Sequence, residues 1–284
     1  RSAESTIRDL LGRDINHYQI QKFDNRQIKT FVTKFFESSS IGEELIEALN
    51  YNRILERLPI TPLSISLIAL VFEKDRREIP ATISDIYDNF NLLILGKITA
   101  ETKFELIDFN FRERLLSIYG LELLNNESLL NSGMTKKEFI EFFETYFKNK
   151  SSEVDSSVLE EFLDYFLQSS GILELKKGLY INFSHRSFLE YYASIEIFKH
   201  QRKLESSLSK NFLDLKWQNA AIFYAGRSRD MPEYLEDILK VVEKADTFEE
   251  EANGIMGMGY LLQALYQTDN NIRARAIQVS LDKH

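Results

Sequence analysis

Ile172–His185 reads ILELKKGLYINFSH. ILEL and LYINF alternate apolar and polar residues with period two, the spacing of a strand with one buried face. Lys176-Lys177-Gly178 between them makes a tight turn, so the stretch predicts a β-hairpin. The sequence on either side has helical rhythm. The chain's 284 residues include only 4 prolines and 11 glycines, too few breakers for a turn-rich all-β fold. One hairpin set among helices therefore predicts a mainly α class.

Three helical patterns precede the hairpin. FELIDFNFRERLLSIYGLELL (104–124) is long and amphipathic. TKKEFIEFFETYF (135–147) opens with a capping box from Thr135 to Glu138, and SSVLEEFLDYFLQSSG (156–171) with another from Ser157 to Glu160, closing at Gly171. Three helices followed by a two-stranded wing is the order of a winged-helix domain. Further upstream, DNRQIKTFVTKFF with Asp24 as cap, IGEELIEALN (41–50), PLSISLIALVFEKD (62–75) and TISDIYDNFNLLILGK (82–97) predict a four-helix bundle. HYQIQKF (17–23) predicts a brief strand. Downstream, helices are expected over 210–226, 232–245, 250–267 and 271–283, an α-helical array without a strict repeat. Trp217 and the Phe223-Tyr224 pair are expected to lock its first helices, and the acidic run Glu249–Glu251 suits a helix start. The domains read as 1–23, 24–98, 99–195 and 196–284.

Composition narrows the function classes. Net charge is −9, which disfavours a grip on a phosphate backbone. There is no cysteine, so disulfides, thiolate catalysis and cysteine-type zinc sites are excluded. The four histidines, at 17, 185, 200 and 284, never pair at i, i+4. No apolar run reaches the roughly 18 residues of a membrane helix, and RSAESTIRDL lacks the apolar core of a signal peptide. These features point to a cytoplasmic protein with no membrane partner.

The stretch FSHRSFLEYYAS (183–194) resembles the winged-helix signature of NACHT-type STAND NTPases, F-x-H-x-[ST]-[FI]-x-E-[YF]-x-A. Phe183, His185, Ser187, Phe188, Glu190, Tyr191 or Tyr192, and Ala193 carry the match. TPLSISLIALVFEKDRREIPATISDIYDNF is similar to the family's first helical domain, and FDNRQIKTFVTKFF to the segment after its nucleotide domain. The matches lie in family order and cover about residues 20–200. The resemblance implies that 1–23 ends a nucleotide-binding domain, 24–98 is helical domain 1, 99–195 the winged helix and 196–284 the start of a second helical domain.

The P-loop itself is missing. No G-x-x-x-x-G-K-[ST] occurs: Gly96-Lys97 is followed by Ile98, and GIMGMG (254–259) has no lysine and sits in a helical pattern. The sequence thus looks like the regulatory half of a signalling ATPase, with ADP or ATP and Mg²⁺ belonging to the parent protein and no hydrolysis expected of this stretch alone. The resemblance implies that His185 contacts the β-phosphate of ADP and that Pro62 packs on adenine. The family's looser G-x-P form would want glycine at 60, where Ile60 stands. Read without the family, His185 is a helix-start residue bonded to backbone and Pro62 a helix N1 proline. Ser187 and Glu190 are expected in capping and packing. The implied partners are the protein's own P-loop domain and, on activation, further copies of itself in innate immune or antiphage signalling. Two other functions stay open: a helical interaction module without nucleotide, and a winged-helix nucleic-acid binder using Lys176 and Lys177, which the acidic EFIEFFE and EEFLDYF beside them oppose.

Overall fold

The computed structural model describes residues 22–57, 60–76, 80, 82–96, 103–150 and 154–282. The expected strand over 17–23 and the expected end of a nucleotide domain over 1–23 fall almost wholly outside them. The described chain is mainly helical, with one three-stranded antiparallel sheet. It forms two compact units, residues 1–69 and 70–284.

In the first unit, α1 (Asn25–Phe35) starts as Asp24 predicts. The Asp24 carboxylate accepts from Gln27 N–H at 2.7 Å, while Gln27 Oε1 accepts from Asp24 N–H at 2.9 Å. Ile28 and Val32, one turn apart, are buried; Phe31 and Phe35 are only half-buried and lie against each other with centroids 5.6 Å apart. α2 (Ser39–Tyr51) adds Leu45 and Leu49 to the core, and the short α3 (Ile54–Arg57) adds Ile54. α4 (Pro62–Lys74) starts at the expected proline, and the division between the units falls inside it.

The second unit is organised by two helices, α6 (Lys103–Asn125) and α10 (Arg186–His200), which pack along each other. Gly120 permits the close approach: a Cβ there would lie 2.9 Å from Leu189 O and 3.0 Å from Ala193 N of α10. Every residue of α10 from Phe188 to Ile197 is buried. Around this pair run α5 (Ile83–Ile94), α7 (Glu127–Ser132), α8 (Lys136–Lys148) and α9 (Ser156–Tyr165), the last extended by a π-helical turn over Phe166–Ser170 that ends at Gly171 with φ +64°.

The hairpin forms where the alternation places it. Strand β2 (Leu173–Lys176) pairs with β3 (Tyr180–Phe183), and Lys177 and Gly178 take the positive φ that the loop needs. A third strand, β1 (Met134–Thr135), lies on the other side of β3. Two residues carry too little pattern to be read from sequence. The Tyr119 hydroxyl fixes the strand, donating to Ile181 O at 2.7 Å and accepting from Met134 N–H at 3.3 Å.

Two expectations need correction. The capping box expected from Ser157 to Glu160 does not form: Asp155 caps α9, its carboxylate accepting from Ser157 N–H at 2.8 Å. A carboxylate two residues earlier supplies the stronger acceptor. A separate short helix, α11 (Glu205–Lys210), comes first, and the helix expected over 210–226 begins only at Leu215, as α12 (Leu215–Ser228), because Asp214 caps its start at Lys216 N–H. The chain continues through α13 (Pro232–Glu243), α14 (Phe248–Ala264) and α15 (Asn270–Asp282). The glycines of GIMGMG lie within α14, where a Cβ on Gly257 would meet the Gln218 amide at 2.4 Å. Gly254 and Gly257 serve close packing there.

Candidate functional site at the start of α10

β3 ends at Phe183 and α10 begins at Arg186, so the sharp turn between strand and helix is made by Ser184 and His185. Ser184 Oγ donates to Gly171 O at 2.7 Å, and Ser184 N–H to Ile172 O at 2.9 Å, which anchors the turn to the sheet. His185 is the N-cap of α10, with extended backbone at φ −140° and ψ 140°.

The cap is unusual in its chemistry. Nδ1 of His185 accepts from Ser187 N–H at 3.2 Å. A nitrogen that accepts cannot carry a proton, so the ring is the neutral Nε2–H tautomer. Ser187 Oγ lies 2.5 Å from the same Nδ1, and Tyr87 OH donates to Ser187 Oγ at 2.5 Å. The three groups form one directed chain, Tyr87 to Ser187 to His185. Partial desolvation holds the imidazole below its ordinary pKa of 6.5. His185 itself is exposed, and among the described residues no group bonds Nε2. Two amides of the first turn are already used, Ser187 N–H by Nδ1 and Phe188 N–H by His185 O at 3.0 Å. The imidazole Nε2–H is a donor that this helix start can still offer an anion.

Tyr87 comes from α5 and is buried in an aromatic box, with ring centroids 5.6 Å from Phe188, 5.5 Å from Tyr191 and 4.8 Å from Phe223. Burial pushes its phenol pKa up, so it stays a donor. α5 is clamped to α12 by Asp88–Arg227 and Asp85–Arg229 pairs, each at 3.1 Å, and by glycine: a Cβ on Gly226 would meet Ser84 Oγ at 2.0 Å. Tyr191 OH adds a bond to Asp88 at 2.8 Å.

One turn along α10, Glu190 is buried and accepts from Arg186 Nε and from Asn219 Nδ2 of α12, each at 2.9 Å. Burial outweighs these bonds and pushes its pKa up to about 7. A cleft of about 610 Å³ beside it runs between α7 and α12. Its charges are mixed, Glu127, Asp214 and Glu190 against Arg186 and Lys216, so it presents no single-sign field to an anion.

The other expected site residue, Pro62, belongs to the first unit. Thr61 and Ser64 form a reciprocal cap around it, Ser64 N–H to Thr61 Oγ1 at 3.1 Å and Thr61 N–H to Ser64 Oγ at 2.8 Å. Pro62 is half-buried at the first position of α4. Ile60, where glycine was wanted, is buried and its carbonyl accepts from Phe23 N–H at 2.8 Å. Ser187 and Glu190 do serve the helix start and its packing, as read. The part of the site that sequence reasoning missed is Tyr87, which is 100 positions from Ser187 and looked like one more core aromatic.

Among the described residues, no cluster of three or more His, Asp or Glu could hold a metal ion, and no helix is long and apolar enough to cross a membrane. No protein-family model matches the chain, and no curated protein sequence matches it.

Proposed function

We propose that the chain is the regulatory part of a NACHT-type STAND signalling ATPase, closing over ADP and opening when ATP replaces it. The observation that carries this reading is the imidazole of His185. It is fixed as a neutral donor through Nδ1 and left unbonded at Nε2, at the position where the signature places a phosphate contact. The helices α6, α8 and α9 followed by the hairpin, with β1 added to its sheet, support a winged helix over 99–195. Residues 24–98 would be helical domain 1 and 196–284 the start of a second helical domain.

The nucleotide supplies terminal phosphate oxygens, whose number differs between the closed and open states. His185 donates Nε2–H to one of them in the closed state, and a proton taken up at Nδ1 is opposed by the Ser187 amide. Pro62 contributes an apolar ring against adenine. Loss of the histidine contact releases the start of α10, a two-state element biased by one ligand group. The partners are the protein's own P-loop domain and, once open, further copies of itself, in cytoplasmic innate immune or antiphage signalling.

A second reading, a protein-interaction module without nucleotide, is favoured by the hairpin, where Leu175 and Leu179 are 48% and 53% exposed. The two lysines that open α8 are already paired, Lys136 with Glu160 and Lys137 with Glu141, which weakens a nucleic-acid role for this helix start.

The test uses the chain joined to a P-loop domain ahead of residue 1. Co-purified nucleotide is released and identified for wild type, His185→Ala and His185→Asn. Asparagine can cap a helix but has no imidazole. ADP in wild type, lost or exchanged for ATP in both variants, supports the phosphate contact. ADP kept in His185→Asn reduces His185 to a cap, and no nucleotide in wild type favours the interaction module.

A further inference from the structure

We propose that Tyr87 is a positioning residue for His185, acting through Ser187 to hold the imidazole as an outward-facing Nε2–H donor. What that donor meets rests on the nucleotide reading above; the relay itself does not.

Tyr87 is buried among Phe188, Tyr191 and Phe223, which fixes its ring. It donates to Ser187 Oγ at 2.5 Å. With that lone pair occupied, the serine proton is directed at Nδ1 of His185, also 2.5 Å away. The Ser187 amide donates to the same nitrogen at 3.2 Å. Two donors on Nδ1 oppose its protonation and exclude the other neutral tautomer. The residue that sets this alignment sits on α5, not on α10. α5 is tied to α12 by Asp88–Arg227 and Asp85–Arg229. The donor at His185 is therefore coupled to how α5 lies against α10, and any ligand on Nε2 must favour that packing by the same factor. The charged groups nearest the relay are already engaged: Arg186 and Glu190 pair with each other, and Glu190 also holds Asn219.

The test is imidazole ¹⁵N NMR of this chain through a pH titration, with His185 assigned by the His185→Asn variant. In wild type, His185 is expected to stay in the Nε2–H form and to gain its proton below the usual histidine range. Ser187→Ala removes the hydroxyl donor on Nδ1, leaving only the amide, and is expected to raise the midpoint and populate the Nδ1–H form. Tyr87→Phe keeps the ring but loses the hydroxyl, and should shift both in the same direction by less. Ser187→Thr should restore wild-type behaviour. Tyr87 as a packing residue only predicts altered stability but an unchanged midpoint and tautomer in Tyr87→Phe, which overturns the proposal. If Tyr87→Phe does not fold, an unchanged titration in Ser187→Ala overturns it equally. No nucleotide enters this measurement, so its failure and that of the nucleotide reading are separate results.

Discussion

The two ends of α10 are held by different chemistry. Toward its C-terminus, Glu196 is buried and bound by Arg114 of α6, whose second nitrogen donates to Tyr146 OH at 2.7 Å. Lys199 pairs with Glu113, a buried acid that also accepts from Asn91 at 2.9 Å. At the N-terminus the cap bonds are neutral, Tyr87 to Ser187 and Ser187 to His185, and the ion pair Arg186–Glu190 lies within α10 itself. Separating buried charges costs several kcal/mol, whereas a neutral hydrogen bond can be exchanged for one to water at a net cost of about 1 kcal/mol. A movement that involves α10 should therefore release its start and keep its end.

Arg114→Met should have the largest effect. It leaves Glu196 buried with only Gln201 at 3.3 Å. Removing one member of a buried pair costs about 3–5 kcal/mol, and the Arg114 side chain is 23% exposed, so about 3 kcal/mol is expected in urea denaturation. Burial raises the pKa of Glu196 in the folded state already, and losing the guanidinium raises it further. The penalty should be larger at pH 8 than at pH 5, because a Glu196 that takes up a proton as pH falls no longer needs a cation. An equal loss at both pH values would mean that the pair is not what holds this end.

Glu190 tests the middle of the contrast, because it is charged but lies near the start. Its folded-state pKa is about 7 against the ordinary 4.5 of a glutamate, so the folded chain binds more protons between these limits. The contribution of Glu190 is fully present below pH 4.5 and is lost as pH rises through 7, by at most about 3 kcal/mol at 1.36 kcal/mol per unit. Glu190→Gln should flatten that part of the stability profile. A wild-type profile level from pH 5 to 8 would show that Arg186 and Asn219 compensate the burial in full.

Gly120→Ala probes the helix contact between the two ends. The added methyl meets α10 backbone on two sides, and overpacking of this kind costs about 2 kcal/mol. Because α10 must lift along its whole length, Gly120→Ala should also weaken the bond from Tyr87 to Ser187. A shift of the His185 imidazole signals in this variant would report that lift.

What the sequence made legible was whatever depends on neighbours in the chain. The hairpin of Leu173–Phe183, the caps at Asp24 and Thr135, and the helix start at His185 rest on spacing and residue type. Strand β1 depends on Ile181 and on the Tyr119 hydroxyl, both far away in sequence, and so it was invisible. α7 was missed for the same reason. It is six residues long with no buried face, and its Leu130 carbonyl meets Asn182 of β3 at 3.4 Å. In the candidate site, His185 stood out because it sits between a strand pattern and a helix pattern, inside the stretch FSHRSFLEYYAS. Tyr87 did not, because a tyrosine on the apolar face of a helix looks the same whether or not its hydroxyl has work to do.

The smallest expected effect separates the two functions of the junction. His185→Ala removes the acceptor for Ser187 N–H, and loss of an N-cap costs about 1 kcal/mol. His185→Asn replaces the acceptor with an oxygen and should recover most of that loss. If the N-terminal end is held mainly by the cap, Asn should restore stability and every other property together. If the end is arranged around the imidazole, Asn should restore stability in thermal melts while His185-dependent behaviour stays absent. That dissociation requires the outward nitrogen to be used for something besides folding, which the bonds on Nδ1 leave it free to do.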